Sequence, residues 1–207
     1  MQFNPESVGY FSVWIVNSIY LTGMFPQIFL NYKLKTTKGL SNWMLLGATF
    51  GYVLYWYHIY LESFPAAYQV MVPLGFSTSI FMILQSFYYD GCSHRRYFCY
   101  LSLLIGFIGA LIFPLALKYP EKVSEICGWV YTFIWLIYMI PQILKIYVQK
   151  STRGFSFAFI TFFAVGVLIE FIAAFFIELS LPIVLNCLRA LAGYVIFCMF
   201  FYIYRGN

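Results

Sequence analysis

Seven apolar runs, each about 20 residues or longer, follow one another along this chain with only short polar breaks. They cover residues 8–31, 42–61, 67–89, 97–117, 125–148, 157–177 and 182–204. A run of that length is what a helix needs to cross a bilayer. Composition agrees: 9% of the 207 residues are charged and 63% are hydrophobic, whereas a soluble domain carries about 25% charged residues. These values exclude a soluble enzyme, a disordered region and a secreted disulfide scaffold. A membrane β-barrel would alternate over segments of about ten residues, and the runs here are continuous. The expectation is an all-α membrane protein with seven transmembrane helices. The first run is too long for a signal-peptide core and lacks a basic flank, so it is read as retained.

Lys and Arg set the orientation, because they concentrate in short cytoplasmic loops. Seven spans put Lys33, Lys35, Lys38, Arg95, Arg96, Lys145, Lys150, Arg153 and Arg205 on one face. The other face receives Lys118 and Lys122 with the acids Glu6, Glu62, Glu121, Glu125 and Glu178. The N-terminus is therefore expected outside or in a lumen, and the C-terminus in the cytoplasm. The net charge of +5 reports topology; no basic domain is present to hold a nucleic acid.

The chain also repeats itself at an offset of 115 residues. Pro26–Ser41 aligns without gaps with Pro141–Ser156, and eight of the 16 positions are identical. The same offset pairs Trp14 with Trp129, Met24 with Met139 and Gly51 with Gly166. Three spans reverse direction, so a directly fused copy would be inverted. An extra fourth span restores the orientation. This predicts two parallel three-helix bundles, residues 8–89 and 125–204, joined by a linker helix at 97–117 (a 3+1+3 plan), with a pseudo-twofold axis along the membrane normal. Each repeat carries a proline within its first span, followed by glutamine. Proline removes a backbone donor and crowds the preceding turn. Pro26 and Pro141 are thus expected to kink their helices as matched hinges, with Gln27 and Gln142 satisfying the freed carbonyls.

Phe25-Pro-Gln27 leading to Lys-Thr-Thr-Lys-Gly-Leu-Ser41, and Ile140-Pro-Gln142 leading to Lys-Ser-Thr-Arg-Gly-Phe-Ser156, resemble the PQ-loop repeat family. Its clan takes in cystinosin-like proteins, lysosomal cationic amino-acid exporters and, more remotely, the SWEET sugar transporters. The resemblance implies a seven-helix transporter working by alternating access, with Pro26, Gln27, Pro141 and Gln142 in the gating motif. Cystinosin-like members couple to protons through an aspartate early in the sixth helix. The matching position falls near Phe163, and the sixth run holds no Asp, so that role does not carry over.

Polar groups inside apolar runs are costly and mark function by default. Glu170 and Arg189 each lie about eight residues from the outer ends of their runs, which sets both about 12 Å deep. Two readings follow: a buried ion pair tying the sixth span to the seventh, or a pair that opens to hold a solute's ammonium and carboxylate or lets Glu170 take a proton. The offset sets Glu170 opposite Tyr55 across the axis. Asn17 and Asn186 add polar groups at depth, and Asn186 shares a helix face with Arg189. Tyr131, Trp135 and Tyr138 form a stripe on the fifth span, echoed by Trp14, Asn17 and Tyr20; such a stripe packs helices or walls a cavity. Asn17, Tyr55, Tyr131, Trp135, Tyr138, Glu170, Asn186 and Arg189 are the candidate substrate-binding residues.

The remaining polar groups suggest no chemistry. His58 is expected at the membrane interface, and His94 in a loop. Cys92, Cys99, Cys127, Cys187 and Cys198 show no metal-ligand spacing, and an odd count with Cys99 and Cys198 inside runs argues against a disulfide framework, though Cys127 and Cys187 both lie toward the outer face. No catalytic constellation or cofactor fingerprint appears, so neither an enzyme nor a cofactor is expected. The expected partners are the lipid bilayer, a small polar solute (an amino acid before a sugar) and, in one reading, protons. A receptor or a lipid scramblase on the same scaffold is the rival class. With no Asn-x-Ser/Thr acceptor and an end at Tyr204-Arg-Gly-Asn207, a bacterial inner membrane is favoured over a lysosome.

Overall fold

The computed structural model describes residues 5–90, 95–177 and 181–204. Cys92, His94, Glu178 and Arg205 lie outside the described residues, as do the side chains of Glu6, Arg95, Arg96 and Cys99.

Eight helical segments, and no strand, occur among the described residues. They are α1 (Pro5–Leu34), α2 (Asn42–Leu61), α3 (Ala66–Asp90), α4 (Arg95–Lys118), α5 (Pro120–Ile137), α6 (Ile140–Gln149), α7 (Phe157–Ala173) and α8 (Leu181–Ile203). Val8–Leu34, Ala66–Asp90, Pro120–Gln149 and Leu181–Ile203 are each long and apolar enough to cross a bilayer. The chain is an integral, multi-pass membrane protein.

Local signals explain the helix starts. Ser41 caps α2, its hydroxyl accepting from the Met44 N–H at 3.5 Å, and Ser156 caps α7 by accepting from the Phe159 N–H at 3.2 Å. A serine at this place satisfies one of the donors every helix N-terminus leaves orphaned. Both caps belong to the repeated motif. Two expectations need correction. The sixth helix stops at Ala173 and continues as turns to Ile177. The fifth span is interrupted at Tyr138 and Met139, and Pro141 sits in the first turn of α6. A proline there loses no helical bond, because that N–H is an orphan anyway. α1 instead runs through Pro26 as one helix. The two prolines therefore do not produce matched interruptions.

The packing follows the repeat. α1 lies against α3 and α7, α2 against α3 and α5, and α8 against α5, α6 and α7. Passing through α1, α3, α2, α5, α8 and α7 returns to α1, with α4 resting outside on α5 and α2. Two seams, α1 with α7 and α2 with α5, join the halves, and the 115-residue offset exchanges them. Glycine permits close approach at equivalent places in both: a Cβ on Gly51 would strike the Trp135 indole, and one on Gly166 would strike the Tyr20 ring. Tyr20 and Trp135 are themselves 115 residues apart.

Candidate functional site

An interior cavity of about 130 Å³ lies where the two seams meet. Every candidate named from sequence lines it: Asn17 from α1, Tyr55 from α2, Tyr131 and Trp135 from α5, Tyr138 at the break before α6, Glu170 from α7, and Asn186 and Arg189 from α8. Tyr20, Tyr52, Tyr68, Cys187 and Tyr194 complete its polar wall.

Glu170 forms one pole. The Tyr20 hydroxyl donates to its Oε2 at 2.6 Å, and the Tyr68 hydroxyl to its Oε1 at 2.8 Å. Arg189 forms the other. Its Nη2 donates to Asn186 Oδ1 at 3.2 Å, its Nη1 meets Met139 Sδ at 3.3 Å, and its guanidinium carbon lies 5.3 Å from the Tyr138 ring centroid. Among the described residues the two form no ion pair, which corrects the first reading of the sequence. Equal depth did not make them partners, because two tyrosine hydroxyls occupy the carboxylate and the guanidinium turns along its own helix.

The cavity also holds polar atoms with nothing to bind. Tyr131 Oη, Trp135 Nε1 and Arg189 Nε are buried and lack a hydrogen-bond partner. Leaving a buried donor unsatisfied costs about 1–3 kcal/mol, so the three give this one chamber an unusual share of unmet hydrogen-bonding capacity. Around them the rings crowd: Tyr55 lies 4.6 Å from Tyr131 and 5.4 Å from Trp135, centroid to centroid. Asn17 is engaged elsewhere, its amide donating to the Val13 carbonyl at 2.8 Å.

The four motif residues stand away from this chamber. Gln27 reaches across its seam to the loop of the other half: its Nε2 donates to the Gly154 carbonyl at 3.0 Å and its Oε1 accepts from the Ser156 N–H at 2.7 Å. Gln142 does the same in reverse, donating to the Gly39 carbonyl at 3.0 Å and accepting from the Ser41 N–H at 2.6 Å. Both glutamines are fully buried. Between them the two loops touch backbone to backbone, so a Cβ on Gly39 would collide with Gly154, which itself holds φ +81°. The expectation that each glutamine serves carbonyls of its own helix is thus wrong. A backbone loop that must turn and be buried needs an amide from outside, and the neighbouring half supplies it.

Two stretches, residues 8–68 and 123–183, match the model of the PQ loop repeat, and they too are displaced by 115 residues. The chain belongs to the PQ-loop repeat family. It is also similar to cystinosin from Drosophila melanogaster, with 28% identity over 168 residues, 69% of this chain and 42% of the fly protein. The chain thus spans about two-fifths of the length of that curated relative.

Within this PQ-loop chain two further expectations change. Trp14 is 45% exposed and faces outward, so the α1 echo of the aromatic stripe reduces to Asn17 and Tyr20 at the cavity. His58 is buried inside the protein rather than on its membrane-facing surface, with its Nδ1 3.0 Å from the Ser124 carbonyl and 3.1 Å from Ser124 Oγ. Cys127 and Cys187 are free and buried. Sequence reading missed Tyr68 as a partner of Glu170, and nothing in its local pattern points there. Tyr20 was findable, because the offset pairs it with Trp135.

Proposed function

We propose that this PQ-loop protein is an alternating-access transporter for a small zwitterionic solute, an amino acid first, built on the 3+1+3 plan of seven transmembrane helices with the N-terminus outside. The observation that carries this reading is the chamber itself: an acid and a base left unpaired with each other, with three unsatisfied donors between the halves. Glu170 suits an ammonium, and Arg189 Nε, Tyr131 and Trp135 suit a carboxylate. A neutral sugar leaves both charges uncompensated. In the proposed cycle the glutamine clasps hold the motif-bearing face closed. Parting them frees four cross-seam hydrogen bonds, and Pro26 and Pro141 act as hinges. Protonation of Glu170 releases the solute's ammonium and couples transport to protons.

The test is uptake of radiolabelled amino acids and sugars into proteoliposomes holding the purified protein. Glu170→Gln and Arg189→Gln are each expected to lower amino-acid uptake at least tenfold, and Glu170→Gln to flatten its pH profile. Failure to take up any amino acid would overturn the substrate assignment. Sugar uptake would favour the SWEET-like alternative, and flipping of fluorescent lipid without solute uptake would favour a scramblase. An unchanged pH profile in Glu170→Gln would remove the proton role alone.

A further inference from the structure

Lys35 follows α1 in a left-handed backbone conformation, φ 52°, with its ammonium 3.6 Å from the Tyr32 ring centroid and 5.6 Å from that of Tyr89. The arrangement recurs 115 residues later. Lys150, also at φ 52°, lies 3.7 Å from Tyr147 and 5.5 Å from Tyr204. Neither lysine touches the chamber or the clasps. In the first half the cradle adjoins an apolar groove of about 850 Å³ between α1 and α3, lined also by Phe162 of α7. Tyr32 and Tyr89 line both features, so the ammonium stands at the mouth of the groove. Phe29 and Leu84, 65% and 54% exposed, open the groove to the outside.

In a multi-pass protein that outside is lipid. From Thr22 to Tyr32 the groove follows ten residues of α1, about 15 Å, which is the depth of one leaflet of a hydrocarbon core about 30 Å thick. Its apolar length ends at a cation held at headgroup level, and the cytoplasmic leaflet attracts such cations through anionic lipid. Asp90, the acid at this end of α3, accepts from Thr36 and Thr37, and among the described residues it forms no ion pair with Lys35. We infer that the groove holds one acyl chain of an anionic phospholipid, with Lys35 on its phosphate. The inference rests on the membrane embedding and on the proposed cytoplasmic placement of this end, and not on transport, so it stands or falls separately from the solute assignment.

Native mass spectrometry of the purified protein, titrated with phosphatidylglycerol and phosphatidylcholine of matched chains, tests it. Wild type is expected to retain phosphatidylglycerol about fivefold over phosphatidylcholine. Lys35→Asn suits the left-handed backbone and removes the charge; it should abolish that preference. Leu84→Trp fills the groove from its lipid-facing side and should reduce retention of both lipids. Lys150→Asn, at the second cradle, should leave the preference intact. Equal retention of both lipids by wild type overturns the inference. So does an unchanged preference in Lys35→Asn, or an equal loss in the two lysine variants, which would mark a general charge effect.

Discussion

At the motif-bearing end of the seam between α1 and α7, Gln27 clasps the Gly154–Ser156 loop; at the same end of the other seam, Gln142 clasps Gly39–Ser41. The opposite ends have diverged. There Gly9 of α1 packs directly on Ile177. At the positions 115 residues away, Ser124 of α5 donates to Glu62 Oε1 at 2.8 Å and contacts the buried His58. At the end away from the motifs, one seam is an apolar contact and the other a polar triad. The difference shows which part of a duplicated membrane fold can drift. A buried backbone loop has fixed donors and acceptors that must be met in both halves. A side-chain contact closes equally well with any complementary pair.

The largest effect is expected where the two motif loops meet. Gly39→Ala places a methyl group against the Gly154 backbone, which cannot swing aside as a side chain would. A loss of about 1–3 kcal/mol is expected. It should appear as a lower unfolding midpoint in detergent and as faster maleimide labelling of Cys187, which lines the chamber. Labelling that does not change would show that the glycine contact is not the seal.

The clasps themselves come next, and they are not equal. Gln27→Leu strands the Ser156 N–H and the Gly154 carbonyl, and it also breaks a chain in which Gln27 donates to Asn31 at 2.8 Å and Asn31 to Gln85 at 2.9 Å. Gln142→Leu strands two groups as well, but Lys145 Nζ still holds the same loop through the Leu40 carbonyl at 2.6 Å. Each stranded buried group costs about 1–3 kcal/mol, so Gln27→Leu should destabilise more than Gln142→Leu. Equal unfolding midpoints for the two would break the comparison between the halves.

Ser124→Ala should have the smallest effect. It removes the contacts to Glu62 and to the His58 ring through Oγ, but the Ser124 carbonyl remains beside His58 Nδ1. Glu62 is exposed, so a loss of no more than about 1 kcal/mol is expected. A larger drop in unfolding midpoint would mean that the polar outer seam is a structural keystone rather than a drifted copy.

Much of this was legible before any coordinates. α2 begins and ends where the apolar run does, at 42 and 61, and α3 departs from its run by one residue at each end. Polar side chains in apolar runs point to a shared interior, because lipid penalises them; hence Asn17, Glu170, Asn186 and Arg189, chosen by that rule, line one chamber with Tyr55, chosen by the offset, and Tyr131, Trp135 and Tyr138, chosen by their spacing. Partnership was not legible. Glu170 and Arg189 matched in depth, but the hydroxyls of Tyr20 and of Tyr68, a residue outside both motifs, hold the carboxylate instead. The break at Tyr138 and Met139 was equally hidden, since both repeats carry the same proline and only one span is interrupted.

Sequence by itself determined that the chain is helical and membrane-embedded, that it is duplicated at 115 residues, and which polar groups lie deep within it. These are properties of order along the chain, and hydrophobicity accumulates residue by residue. Tertiary structure alone decided that the glutamines serve the opposite half, that the acid and the base stay apart, and that the two seams differ at the end away from the motifs. A hydrogen bond depends on the direction of a side chain across a helix interface, which the linear order of residues does not contain.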